Sequence, residues 1–137
     1  MSERRVDAFF YGMFMDADLL RESGVEPVNP RRAYVAGFAL RLGERATLVP
    51  SAGARAYGML YALTHDELAR LYGAPGLEHY RPEAVLARTT EGEPVAALCY
   101  NLAEAPRAGE HNAEYAARLR RVLGKLGFPP EYVASVS

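Results

Sequence analysis

The spacing of apolar residues changes several times along the chain, and each change marks an element. Val6–Tyr11 is a near-continuous apolar and aromatic run, the pattern of a mostly buried strand. Asp16 offers an N-cap for a short helix through Glu22, and Gly24 ends it. Pro27-Val28-Asn29-Pro30 reads as a turn. Over Arg31–Leu42, Tyr34, Ala36, Phe38 and Leu40 recur with a period of two, which predicts a strand that buries that face. Ala46–Pro50 reads as a short strand or edge. Tyr57–Leu63 reads as a further strand in which Tyr57, Met59 and Tyr61 share one face.

Thr64-His65-Asp66-Glu67 fits a capping box, in which hydroxyl and carboxylate satisfy each other's backbone N–H groups, and a helix should run to about Tyr72. Gly73-Ala74-Pro75-Gly76 is a loop. Tyr80–Thr89 and Val95–Asn101 predict a hairpin around Glu91-Gly92-Glu93-Pro94. Tyr115, Leu119, Val122, Leu123 and Leu126 form one apolar stripe of a longer helix, with Asn112 as N-cap, Gly127 as C-cap and Pro129 past the stop. The strand connections are too short and irregular for a βαβ series. The expected fold is therefore a mixed α/β domain: a small, mostly antiparallel barrel-like sheet with short helices and a C-terminal helix.

Composition narrows the function class. The 137 residues divide at no Pro/Gly/Ser-rich linker, so a single domain over 1–137 is expected. Lys+Arg 16 against Asp+Glu 17 leaves a net charge of -1, without the basic field of a general nucleic-acid binder. The basic residues Arg118, Arg120, Arg121 and Lys125 fit the solvated face of the last helix, and Arg31-Arg32 reads as exposed. The one cysteine, Cys99, excludes an intramolecular disulfide and a Cys-rich metal site. It sits in an apolar strand, so a buried, inert thiol is expected. His65, His79 and His111 fall in polar segments and nothing pairs them as ligands. No run has the length of a membrane span, and the first residues lack a signal-peptide core, which points to the cytoplasm.

The chemistry concentrates at Phe9-Phe10-Tyr11-Gly12-Met13-Phe14-Met15. A buried strand ends at Gly12 and a helix begins shortly after. The backbone N–H groups between them suit an anion, and glycine admits a close approach. A core strand running into an ordinary turn is the competing reading.

Taken in order, four segments resemble those of the γ-glutamylcyclotransferase-like proteins: Tyr11-Gly12-x-x after the first strand, Val35-Ala36-Gly37-Phe38-Ala39-Leu40, Tyr57-Gly58-Met59-Leu60-Tyr61-Ala62-Leu63, and Tyr80-Arg81-Pro82-Glu83-Ala84-Val85. The resemblance implies that family's small mixed barrel. It also implies release of 5-oxoproline from γ-glutamyl amines or peptides, by attack of the substrate's own α-amine on its γ-carbonyl. That reaction needs no protein nucleophile, metal or cofactor. It does need a folded, anchored substrate and a carboxylate to move the proton. By resemblance, Tyr11, Gly12, Met13 and Phe14 hold the α-carboxylate and Tyr80 lies in the pocket.

The chain departs from the pattern at the acid/base glutamate, expected within Leu71-Tyr72-Gly73-Ala74-Pro75. Tyr72 stands there in one alignment and Ala74 in another, and neither is a carboxylate. Glu78 is the nearest substitute, with partial burial expected to raise its pKa. Glu83, Glu104 and Glu110 are more distant candidates. Three readings follow: a γ-glutamyl cyclotransferase, a non-catalytic module that binds a γ-glutamyl compound or other carboxylate, and, ranked last, transfer of an acyl group between amines. Exposed strand edges leave both monomer and homodimer open.

Overall fold

The computed structural model describes residues 4–107 and 109–137. Five strands close into a barrel in the order β1-β3-β2-β4-β5: β1 Arg5–Phe10, β2 Val28–Leu42, β3 Ala46–Thr64, β4 Tyr80–Thr89 and β5 Pro94–Leu102. Every pairing is antiparallel except the closing one, where β1 meets β5 in parallel at Ala8↔Leu98. Four helices decorate it: α1 Ala17–Glu22, α2 His65–Tyr72, α3 Ala113–Lys125 and α4 Pro130–Ser135. The small, mostly antiparallel barrel with short helices matches the expectation.

The local signals mostly hold. Asp16 caps α1 by accepting from the Asp18 N–H. The Thr64/Glu67 capping box is present in both directions. Asn112 caps α3, and Gly127, at φ 82°, lets the chain leave it while the Phe128 N–H reaches back to the Leu123 carbonyl.

Several readings need correction. Val28, Asn29 and Pro30 belong to β2, not to a turn, with a register shift between Val28 and Arg31 where Asn29 takes φ 54°. In the first half of β2 it is Ala33 and Val35 that are buried, while Tyr34 and Ala36 of the expected face point outward; Phe38 and Leu40 do pack on the core, with Leu42 buried beyond them. A second register shift at Gly37, φ 83°, lies between Ala36 and Phe38. The outward face is apolar because Tyr34 packs on Tyr57, and Tyr57 in turn lies against Phe128 and Tyr132. Period-two patterning finds the strand but does not say which side is the barrel interior.

The two segments Ala46–Pro50 and Tyr57–Leu63 form one 19-residue strand, β3. With β2 it makes a long hairpin whose tip is Gly43-Glu44-Arg45. That tip is fixed from outside. The Glu110 carboxylate accepts from the N–H groups of Glu44 (3.2 Å) and Arg107 (2.8 Å), and a side chain on Gly43 would collide with Glu110 and Pro106. The core joins the barrel interior, with Phe9, Leu60 and Leu63, to Leu20, Leu68, Leu71, Leu119 and Leu123 of the helices. Arg31 is ion-paired to Asp7 at 2.6 Å and half-buried, not exposed.

Candidate functional site

A cavity of about 240 Å³ opens where β1 ends, and Tyr11, Gly12, Met13, Phe14 and Tyr80 all line it. The chain leaves β1 extended at Gly12 (φ -110°) and winds into a 3-10 turn over Met13–Met15. Two side chains lock that turn. The Tyr61 hydroxyl donates to the Met15 carbonyl at 2.6 Å, and the Met13 N–H donates to the Tyr115 hydroxyl at 3.2 Å. Met13 is therefore not a free donor. Among the described residues no protein group accepts from the N–H of Gly12 or of Phe14. The N-terminus of α1 is already served by Asp16.

Gly12 is required by contact, not by dihedral angle. A Cβ there would sit 2.7 Å from the Tyr115 hydroxyl. Gly12→Ala should push Tyr115 off the Met13 N–H and cost about 1 kcal/mol, one hydrogen bond. Tyr115→Phe should cost a similar amount. In the Tyr115→Phe background, Gly12→Ala should add almost nothing, because the clashing atom is gone. Urea denaturation of the four chains measures the coupling, and additive losses would refute the contact.

The walls are aromatic. Tyr72, at the C-terminal end of α2, stacks flat on Tyr100 of β5, with ring centroids 3.8 Å apart and 9° between planes. It also meets Tyr80 at 6.0 Å and Phe14 edge-on at 6.4 Å. The Tyr11 hydroxyl donates to the Tyr100 carbonyl at 2.7 Å, and the Tyr80 hydroxyl donates to the Ala46 carbonyl. Burial pushes the Tyr11 and Tyr72 phenols well above their ordinary value and lifts Tyr80 to about 12, so all three are neutral near pH 7. Sequence reasoning missed Tyr100 and Tyr115 as pocket walls, and weighed Tyr72 only as a replaced glutamate. The available signal was nine tyrosines without a tryptophan.

The charged groups on the walls are Glu44 and Arg45, carried in by the β2–β3 hairpin tip. Neither stands out in the sequence, because a tight tip between two strand segments has no side-chain pattern of its own. Glu44 is exposed and Arg45 half-buried. Glu78 is exposed and does not line the cavity. Its carboxyl lies below the usual value, because its own N–H and that of Gly76 donate to it, against a smaller opposing effect of desolvation, with help from His79 and Arg45. The expected burial and upward shift are not seen. Glu83, Glu104 and Glu110 line other clefts.

The Cys99 thiol is buried and lifted to about 12 by desolvation, with the Glu83 charge adding to it, as an inert core thiol should be. His65, His79 and His111 are exposed. Among the described residues, no three His, Cys, Asp or Glu side chains converge to hold a metal, and no helix is long and apolar enough to cross a membrane.

Comparison with known proteins places this geometry. No curated protein matches the chain. A solved structure described as a gamma-glutamyl cyclotransferase superposes with a TM-score of 0.81 at 17% identity, covering 98% of this chain and 89% of that one. An uncharacterized protein from Homo sapiens follows at 0.78 and 18% identity, with the same 98% and 89% coverage. YkqA from Bacillus subtilis gives 0.76 and 23% identity over 96% of this chain, but only 52% of its own length. These likenesses speak for the fold. The family model described as gamma-glutamyl cyclotransferase, AIG2-like, matches residues 8–118. With most of its length inside that match, the chain belongs to the gamma-glutamyl cyclotransferase, AIG2-like family.

Proposed function

We propose that this protein binds a small γ-glutamyl compound in the aromatic cavity and does not close it to 5-oxoproline. The ligand's α-carboxylate accepts from the N–H groups of Gly12 and Phe14, and its hydrocarbon portion lies against Tyr72, Tyr80 and Tyr100. The observation that carries this reading is the carboxylate inventory. Ring closure needs a base within hydrogen-bond reach of the α-ammonium, shielded from water so that the proton goes to the leaving amine. Where the family's acid/base was expected, Tyr72 stacks on Tyr100 inside the cavity, and Glu78 is exposed outside its lining. A neutral phenol with a raised pKa does not take a proton from an ammonium at pH 7.

The test is a paired measurement. γ-Glutamyl dipeptides at about 100 times their dissociation constant should raise the melting temperature by roughly 5–10 °C, as expected for about 2.7 kcal/mol of linkage. The same mixtures should accumulate no 5-oxoproline above the buffer control. Absence of any shift across a panel of γ-glutamyl amines and dipeptides would sink the binding reading, and steady 5-oxoproline production would sink the non-catalytic one.

A second reading is favoured by one observation: Glu44 does line the cavity. If turnover is found, Glu44→Gln should abolish it and Glu78→Gln should not. The solvated position of Glu44 places this second.

A further inference from the structure

Among the described residues that line the aromatic cavity Arg45 is the one cation, and it is half-buried there. Among the described residues it takes part in no ion pair. Its guanidinium leans over the α2–β4 loop: a Cβ on Gly76 would lie 3.7 Å from the Arg45 Nη2. Two hydrogen bonds hold the segment that carries it. Gly43 donates to the Arg45 carbonyl at 3.1 Å, and the Glu110 carboxylate pins the Glu44 N–H from behind. A partly desolvated cation with no carboxylate within ion-pair distance among the described residues, and only the solvated Glu78 in its field beside Glu44, is prepared for an anion from outside. Glu44 beside it is exposed, so water screens that charge more than it screens Arg45.

The same cavity is lined by Gly12 and Phe14, whose N–H groups have no protein acceptor among the described residues. We propose that Arg45 is a specificity residue: it pairs with a second carboxylate, on the amine-side portion of the ligand, so that γ-glutamyl amino acids are selected over γ-glutamyl amines. This rests on the binding reading above. The α-carboxylate meets the backbone donors, the tyrosine rings cover the middle of the ligand, and the guanidinium meets the far carboxylate. A bidentate guanidinium–carboxylate contact accounts for the choice of arginine.

The experiment compares γ-glutamylalanine with its C-terminal carboxamide, which differs only in that second charge, by titration calorimetry. The unmodified chain should bind the acid at least about 10-fold more tightly, with the ratio shrinking as salt is raised. Arg45→Met should bind acid and amide with equal affinity. Arg45→Lys, which keeps the charge without the fork, should retain part of the preference. Equal affinities on the unmodified chain, or a preference that survives Arg45→Met, would overturn the assignment and leave the binding reading standing. Failure of both compounds to bind would overturn both. The acid-to-amide ratio on the unmodified chain decides the matter even if a variant fails to fold.

Discussion

Glu67→Ala should lower the stability of this protein by about 3 kcal/mol and its melting temperature by roughly 10 °C. The carboxylate is nearly buried and accepts from the N–H groups of Thr64 (2.9 Å) and Glu26 (2.8 Å) and from Arg5 (3.2 Å). Removing it leaves two part-buried backbone donors unsatisfied. The Arg5 contact adds little, since that guanidinium is one-third exposed. Desolvation pushes the Glu67 pKa up, but the N–H groups of Thr64 and Glu26, with Arg5, outweigh it, and the pKa ends below its ordinary 4.5. A depressed folded pKa gives stability that is present above the unfolded value and lost as pH falls through the folded one. Glu67→Gln should therefore melt below the unmodified chain at pH 7, with the gap closing toward pH 3. A gap that persists in acid would show that the charge is not what matters. Because Glu67 fixes the start of α2, whose last residue is Tyr72, the loss should also loosen the cavity wall.

Gly58→Ala should be equally damaging, for a steric reason. A Cβ at Gly58 would lie 2.2 Å from the Phe10 carbonyl oxygen and 2.8 Å from the Phe9 ring. The ring has some freedom, but the carbonyl is fixed by the β1–β3 pairing, so the two strands must separate. Overpacking in a core costs about 1–3 kcal/mol, and a clash with backbone belongs at the top of that range. The strain falls on Phe9 and Phe10, directly before the Tyr11-Gly12 loop. Ligand affinity should drop together with melting temperature. An alanine variant within 2 °C of the unmodified chain would refute the close approach.

Local chemistry was readable where the partners lie within a few residues. The capping box, the Asp16 and Asn112 caps and the β4–β5 hairpin all have their partners in the same short window. What failed to show were meetings across the fold. Glu67 was legible as a cap, but not as the acceptor for Glu26, whose N–H arrives from a segment 41 residues away. Tyr34 was legible as a strand residue, but its face was inverted, because a covering layer of Phe128 and Tyr132 makes both faces apolar. The Gly12 loop was found from its strand-to-helix pattern. Its true constraint, the Tyr115 hydroxyl, comes from the other end of the chain. Arg45 reaches the site only because two strands of unforeseen length end in a tip above it.

The barrel closes through the parallel meeting of β1 and β5 at Ala8 and Leu98, with the Tyr11 hydroxyl bolted to the Tyr100 carbonyl just beyond. That seam joins the first strand of the chain to the last. The cavity lies on it, with Tyr11 and Gly12 on one bank and Tyr100 on the other. Any molecule that fills the cavity touches both banks. A ligand that touches both should favour the closed seam over its opening, and amide exchange along β5 should slow when it binds.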